Sequence, residues 1–146
     1  MYGAVEIDTQ TVIITADADE LDTFANYLDA AVPHTITLEP APSDAATRRL
    51  LTLSLELSAK DVAVVSTRDD RATIRGTSGA FSRLADEVRV FLEYNDLSVP
   101  GMHTHFEPGG RSTLGDWIVV SDDSDPLVVT GPVFDESKGS ADDRAA

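Results

Sequence analysis

The chain has 146 residues, 42% of them hydrophobic and 25% charged, which suits one globular domain with its own core. It has no cysteine, so disulfides, zinc-thiolate sites and cysteine nucleophiles are excluded. Its formal net charge of −15 repels nucleic acid and attracts basic proteins, so a basic protein partner is favoured over DNA or RNA. The same acidity is also typical of proteins from salt-adapted or GC-rich organisms.

No apolar run approaches the roughly 20 residues that are needed to span a bilayer, so no membrane association is expected. The segment Met1 to Glu6 has neither a basic region nor a long apolar region, which argues against a signal peptide. We therefore expect a cytoplasmic protein.

The first elements are a β-hairpin and a helix. Thr11 to Thr15 is rich in β-branched residues, which predicts a strand, and a partner strand is expected around residues 5–7. Asp17 and Glu20 have the spacing of a capping box at the start of a helix. The helix is predicted to bury one face, made of Leu21, Phe24, Ala25 and Leu28.

Extended segments follow. His34 to Glu39 reads as a strand that stops at Pro40, and leucines at 51, 53, 55 and 57 alternate with polar residues as in a strand with one wet face. Residues 62–66 and 72–75 are predicted to form a hairpin.

The second helix carries the strongest periodicity in the chain. Thr77 or Ser78 is expected to cap its start, and Asn95 is expected to lie at its end. Charged residues, Glu87 among them, fall mostly away from its apolar stripe. The residues of that stripe are Phe81, Leu84, Ala85, Val88 and Phe91.

The last part of the chain is predicted to contain short strands and turns. These are a strand through His103, a turn at Gly109, a strand at residues 117–120, an acidic turn at residues 122–126, and a strand at residues 127–129. We expect a single domain over residues 1–134 and a disordered acidic tail over residues 135–146.

A weak internal repeat links the two halves. Val32-Pro33 and Val99-Pro100 each follow a helix and each lead into a strand that ends in Glu-Pro. Two strand-helix-strand-strand copies predict an α+β two-layer sandwich, a mostly antiparallel sheet with both amphipathic helices on one face. In this alignment Thr35 and Thr37 stand where His103 and His105 stand.

The segment around His103 is the chemically richest part of the chain. On a strand, side chains alternate between faces, so His103, His105 and Glu107 share one face. Two imidazoles at this spacing can converge on a metal ion, as in a cupin-like site. A third ligand would have to come from elsewhere, from His34, Glu39 or Asp116. We expect no metal and no cofactor; a cupin-like metal protein or metal-dependent enzyme remains the alternative.

Other catalytic and ligand-binding motifs are incomplete. The chain has no Gly-x-Ser-x-Gly turn, and residues 76–79 lack the ending of a phosphate-binding loop. The acidic turn lacks the frame of a calcium loop. No catalytic residue is therefore assigned, and we expect a protein that is not an enzyme.

The order of motifs in the second half resembles a known family. The helix from Phe81 to Glu93, the triplet His103-Thr104-His105 and the segment from Ser124 to Val129 resemble bacterial polymorphic-toxin immunity proteins, in particular immunity protein thirty-two. The resemblance covers residues 72–133. It implies a cytosolic antidote that binds and blocks a cognate toxin.

We therefore predict a partner-binding surface on the second half of the chain, facing a toxin that is expected to be basic. Its residues share polarity and lie close together in sequence: His103, His105, Glu107, Asp122, Asp123, Ser124 and Asp125. The remaining alternatives are a homodimer formed through an exposed sheet edge and an acidic domain of unknown role.

Overall fold

The computed structural model describes residues 1–41 and 45–132. Within them the chain forms two helices and nine strands, in the order β1 Tyr2–Glu6, β2 Thr11–Thr15, α1 Ala18–Ala30, β3 His34–Thr37, β4 Thr47–Leu50, β5 Thr52–Leu57, β6 Val64–Arg68, β7 Arg71–Gly76, α2 Ser78–Tyr94, β8 His103–Phe106 and β9 Leu127–Thr130. Neither helix is long and apolar enough to cross a membrane. The tail predicted for residues 135–146 lies outside the described residues.

The strands form two sheets. Sheet A has the strand order β4-β1-β2-β9-β8, and sheet B has the order β3-β5-β7-β6. Neighbouring strands are antiparallel except for the pairs β2–β9 and β5–β7. The predicted α+β class is confirmed, but the strands divide between two sheets where one was expected. The reason is that each helix carries the chain from one sheet to the other, from β2 to β3 and from β7 to β8.

The two halves share one topology. The hairpin β1–β2, helix α1 and strands β3 and β5 correspond in order to the hairpin β6–β7, helix α2 and strands β8 and β9. Both sheets are built alike, since β3-β5-β7-β6 and β8-β9-β2-β1 have the same sequence of antiparallel and parallel pairs. Each sheet therefore combines the hairpin of one half with the last two strands of the other half.

The helices begin and pack as their sequences predict. The Asp17 side chain accepts a hydrogen bond from the Glu20 N–H, and the Glu20 side chain accepts one from the Asp17 N–H, which is a complete capping box. Thr77 caps α2 by accepting from the Ala80 N–H. The apolar stripes of the two helices are buried, and α1 packs against α2. Both stripes join one hydrophobic cluster with the inner faces of the strands.

Three local predictions differ from the structure. Strand β4 was not predicted, because its sequence contains Arg48 and Arg49 and lacks an apolar alternation. Residues 117–120 form no strand; they make isolated bridges at Ile118 and Val120, because this stretch belongs to a long connection between β8 and β9. Of the four leucines that were predicted to alternate in one strand, Leu51 and Leu57 are 42% and 47% exposed, since Leu51 lies just before β5 and Leu57 is its last residue.

We expect Asp17→Ala to lower the free energy of unfolding by about 1 kcal/mol, because the substitution leaves the Glu20 N–H without its cap. Urea unfolding followed by circular dichroism measures the change. Asp22→Ala, on the exposed face of the same helix, is the matched control. An equal loss in both variants would show that helix charge and not the cap is responsible.

Candidate partner-binding site

Strand β8 lies at the edge of sheet A and carries both histidines of the His-x-His triplet. The side chains of His103 and His105 are exposed, whereas Phe106 is buried in the core. The register pairs His103 with Thr130 and His105 with Val128 on β9. The predicted separation of the two faces of this strand is therefore observed.

The exposed face of β8 forms a continuous polar row. The imidazole rings of His103 and His105 meet edge to face, with centroids 4.9 Å apart. His103 Nδ1 lies 2.7 Å from the Gly101 carbonyl oxygen, which orients that ring. His105 Nδ1 lies 3.7 Å from Glu107 Oε2, and the Glu107 side chain is 65% exposed. The structure thus brings these three predicted residues together on one surface.

The backbone of β8 has an open side. In an antiparallel ladder, the N–H and C=O groups of alternate residues point toward the partner strand. The Gly131 N–H donates to the Met102 carbonyl. The backbone N–H and C=O groups of Met102, Thr104 and Phe106 therefore point toward β9. His103 and His105 therefore direct their backbone groups away from the sheet, and no other group in residues 1–41 or 45–132 bonds to them.

A groove of about 350 Å³ lies between β8 and the C-terminal half of α2. Its walls include Phe91 and Tyr94 from the helix and Thr104 from the strand. Tyr94 is 74% exposed, so an aromatic ring stands free at the rim. The far wall comes from the connection between β8 and β9, which bends back through a hydrogen bond from the Ser112 N–H to the Trp117 carbonyl.

Glu87 lines this groove and is only 8% exposed. Its carboxylate accepts a hydrogen bond from the Ser112 hydroxyl, and no arginine or lysine of the described residues forms an ion pair with it. The sequence interpretation placed Glu87 mostly off the apolar stripe. The available signal was its spacing, because Glu87 follows Leu84 by three residues and precedes Phe91 by four, on the face that is buried.

The acidic turn at residues 122–125 lies against β6. The Ser124 hydroxyl accepts from the Val65 N–H at 2.8 Å, and the Asp125 N–H donates to the Val65 carbonyl at 2.9 Å. Asp123 is 3.8 Å from Lys60, and a hydrogen bond with Ser121 lowers the pKa of its carboxyl. Burial raises the pKa of the Asp125 carboxyl. Ser124 is buried and anchors the turn, whereas Asp122 and Asp123 are exposed.

The turn is connected to the histidine strand through a glycine. Gly109 follows Glu107 in the next turn, and its N–H donates to the Val120 carbonyl at 3.0 Å. A Cβ atom placed on Gly109 would lie 3.5 Å from the Asp122 Cβ. Asp122 is therefore the residue of the acidic turn that packs beside the segment carrying Glu107.

The residues considered as a third metal ligand are not brought to the histidines. His34 stacks on Tyr27, with ring centroids 4.1 Å apart, at the edge of sheet B. Asp116 pairs with Arg111 at 2.9 Å. Among the described residues, no group of three or more histidine, aspartate and glutamate side chains is arranged to hold a metal ion.

Arginines are concentrated on sheet B, whereas acidic residues outnumber arginines on the helices. The outer face of sheet B carries Arg68, Arg71 and Arg75, and Arg75 pairs with Glu56 at 3.1 Å. The helices carry seven acidic residues and two arginines, Arg83 and Arg89. The acidic residues are Asp19, Glu20, Asp22, Asp29, Asp86, Glu87 and Glu93. The charged residues that line the groove beside β8 are Glu87, Glu107 and Arg111.

Replacing Ser124 with alanine is expected to lower the free energy of unfolding by about 1 to 3 kcal/mol, because the Val65 N–H would be left buried without an acceptor. Thermal and urea unfolding measure the loss. Ser121→Ala is the control, since among the described residues the Ser121 hydroxyl bonds only to Asp123, an exposed residue, so no buried group loses its acceptor. If both variants unfold alike, the Ser124 hydroxyl does not anchor the turn.

Asp125→Asn is expected to raise the unfolding temperature at pH 7. The raised pKa of Asp125 means that its ionisation is harder in the folded protein, so the wild type loses stability as pH rises from the unfolded value of about 3.9 through the higher folded value. Near pH 3 both states are protonated and the gain should vanish. Asp122→Asn removes the same charge at an exposed position; a gain equal to that of Asp125→Asn would refute the role of burial.

Comparison with known proteins identifies the family. The family model described as Immunity protein 32 matches residues 11–32 and 72–132, more than half of the chain. The first matched segment contains β2 and α1, so the match extends beyond the second half, and the second contains α2, β8 and β9. No curated protein and no solved structure matches the chain. On the strength of this family match, the chain belongs to the Immunity protein 32 family.

Proposed function

We propose that this chain is an immunity protein that neutralises a cognate bacterial toxin by binding it. The observation that carries the proposal is the family match, whose second segment includes every residue predicted for the partner-binding surface. The protein acts in the cytoplasm as a stoichiometric inhibitor and performs no catalysis.

The toxin contacts the exposed face of β8 and the turn beside it. The polar row on β8 faces outward and consists of His103, His105 and Glu107. The groove next to it has an apolar wall and an aromatic side chain at its rim. Asp122 packs beside the segment that carries Glu107 and leads to Asp123 and Asp125 in the acidic turn, which Ser124 holds on β6. A concave surface with a few polar groups beside apolar side chains suits recognition of a protein partner.

Charge supports a basic toxin surface. The net charge of −15 accelerates the encounter with a basic partner, and the groove beside β8 is lined by the carboxylates of Glu87 and Glu107 together with Arg111, whereas the outer face of sheet B carries arginines. If the toxin is a nuclease, the acidic surface of the immunity protein would block it by occupying the groove that binds the phosphates of its substrate. The affinity is therefore expected to fall as salt concentration rises.

The double variant His103→Ala/His105→Ala is expected to bind the toxin encoded in the adjoining reading frame about tenfold or more weakly than the wild type. Isothermal titration calorimetry with a catalytically inactive toxin measures the affinity, and growth during co-expression with the active toxin measures protection. Thr35→Ala/Thr37→Ala, on the corresponding edge strand of sheet B, is the matched control.

Three outcomes have distinct meanings. Loss of binding in the histidine variant alone supports the assigned surface. Equal affinity in both variants and the wild type refutes the role of the histidines but leaves the immunity function standing. A wild-type protein that neither binds nor protects against the adjoining toxin refutes the proposed function.

A further inference from the structure

We infer that the cognate toxin inserts an extended, basic segment that pairs with β8 and adds a strand to sheet A. The inference rests on the proposed function and specifies how the partner is held. Backbone hydrogen bonds to an open strand edge supply affinity in such strand addition, and flanking pockets supply specificity.

Alternate backbone groups of β8 point away from sheet A. His103 and His105 point their N–H and C=O groups outward, and Met102, Thr104 and Phe106 point theirs to β9. The carbonyls of Val128 and Thr130 face β2 instead, as shown by the Ala16 N–H donating to the Thr130 carbonyl at 3.0 Å. Within residues 1–41 and 45–132, the backbone groups of β8 are therefore paired toward the sheet and unpaired on the outer side of the strand.

Among the described residues, the edge of sheet B at β6 is covered, whereas its other edge, β3, is open at Thr35 as β8 is at His105. On β6, the outer edge of sheet B, the Ser121 N–H donates to the Ala63 carbonyl and the Asp125 N–H donates to the Val65 carbonyl. The acidic turn thus covers that edge. Proteins commonly cover exposed strand edges because such edges recruit other chains. The β8 edge, which no described residue covers, lies beside a groove and is available to a partner.

Both faces of β8 have space for the side chains of an added strand. The groove of about 350 Å³ lies toward α2, and a depression of about 450 Å³ lies over the outer face of sheet A, between His105 and Ile13. Side chains of an added strand alternate between these two faces. One set would enter the groove, and the other set would lie beside the imidazoles.

The buried carboxylate of Glu87 favours a positively charged residue on the added strand. Glu87 is more than nine-tenths buried in the groove, and it has a hydroxyl but no cation as its partner among the described residues. A buried carboxylate is stabilised by a hydrogen-bonded cation. A lysine or arginine of the added strand that enters the groove would supply one. A second copy of this chain is the poorer occupant, because each copy carries a charge of −15.

The test uses amide hydrogen exchange of the full chain, free and bound to the inactive toxin of the adjoining reading frame. The amides of His103 and His105 should exchange fast in the free protein and slow by about tenfold or more in the complex. The amides of Thr104 and Phe106 already donate to β9, so they should be slow in both states. Such alternation distinguishes strand pairing from docking through side chains.

A proline scan gives an independent measurement. His105→Pro removes the outward N–H but leaves the ladder to β9 intact, so it should weaken toxin binding about tenfold or more relative to His105→Ala. Thr35→Pro is the control, because Thr35 on β3 directs its N–H away from β5 in the same way. Glu87→Gln should also weaken binding about tenfold, whereas Glu93→Gln, exposed on the same helix, should not.

The contradicting results separate the two proposals. Toxin binding without protection of the His103 and His105 amides overturns strand addition and leaves the immunity function intact. Concentration-dependent protection in the free protein shows that a second copy occupies the edge, which overturns a toxin strand. A wild-type protein that does not bind the toxin at all overturns the proposed function and this inference together.

Discussion

The parallel pairings of β2 with β9 and of β5 with β7 are the constraint on which the rest of the structure depends. Each joins a strand of the first half to a strand of the second half, through the register that sets Val12 beside Leu127 and Leu53 beside Ala72. Parallel neighbours cannot be joined by a tight turn: the chain runs from β5 to β7 through β6, and from β2 to β9 through both helices. Because every inner residue faces one shared core, neither half buries its apolar surface without the other.

This exchange determines where the histidine strand lies. β9 lies inside sheet A next to the central strand β2, so β8, which pairs with β9 on the other side, becomes the edge. In the other half, β3 takes the corresponding edge of sheet B. The register places Thr35 opposite Ser54 and Thr73, and His105 opposite Val128 and Ile13. Thr35 therefore corresponds to His105, whereas the sequence alignment sets Thr37 against His105. The two assignments differ by two residues, so both place the threonine on the same face of the strand.

Features set by neighbouring residues could be predicted from the sequence, and features set by distant pairing could not. The Asp17 capping box, the buried stripe from Phe81 to Phe91 and the hairpin of β6 and β7 are each encoded within a short segment. The polar face of β8 followed from alternation alone. Nothing local indicates that the strands divide between two sheets, because an amphipathic strand has the same pattern in either.

The site itself was predictable only in part, for the same reason. The exposure of His103 and His105 follows from their spacing, but the open edge beside them depends on which strand β9 pairs with. Glu87 was overlooked because a charged residue is normally assigned to the wet face of a helix. Its burial results from the connection between β8 and β9, which folds over the helix and offers the Ser112 hydroxyl.

An open strand edge is a hazard for a free protein, because identical edges can pair and seed aggregation. In this chain the edge is short, since β8 spans only His103–Phe106, and its surroundings are acidic. The net charge of −15 opposes the approach of a second copy and favours the approach of a basic protein. If a basic toxin segment pairs with this edge as proposed, the same acidity both opposes self-association and favours the partner, so solubility and recognition place the same demand on the sequence.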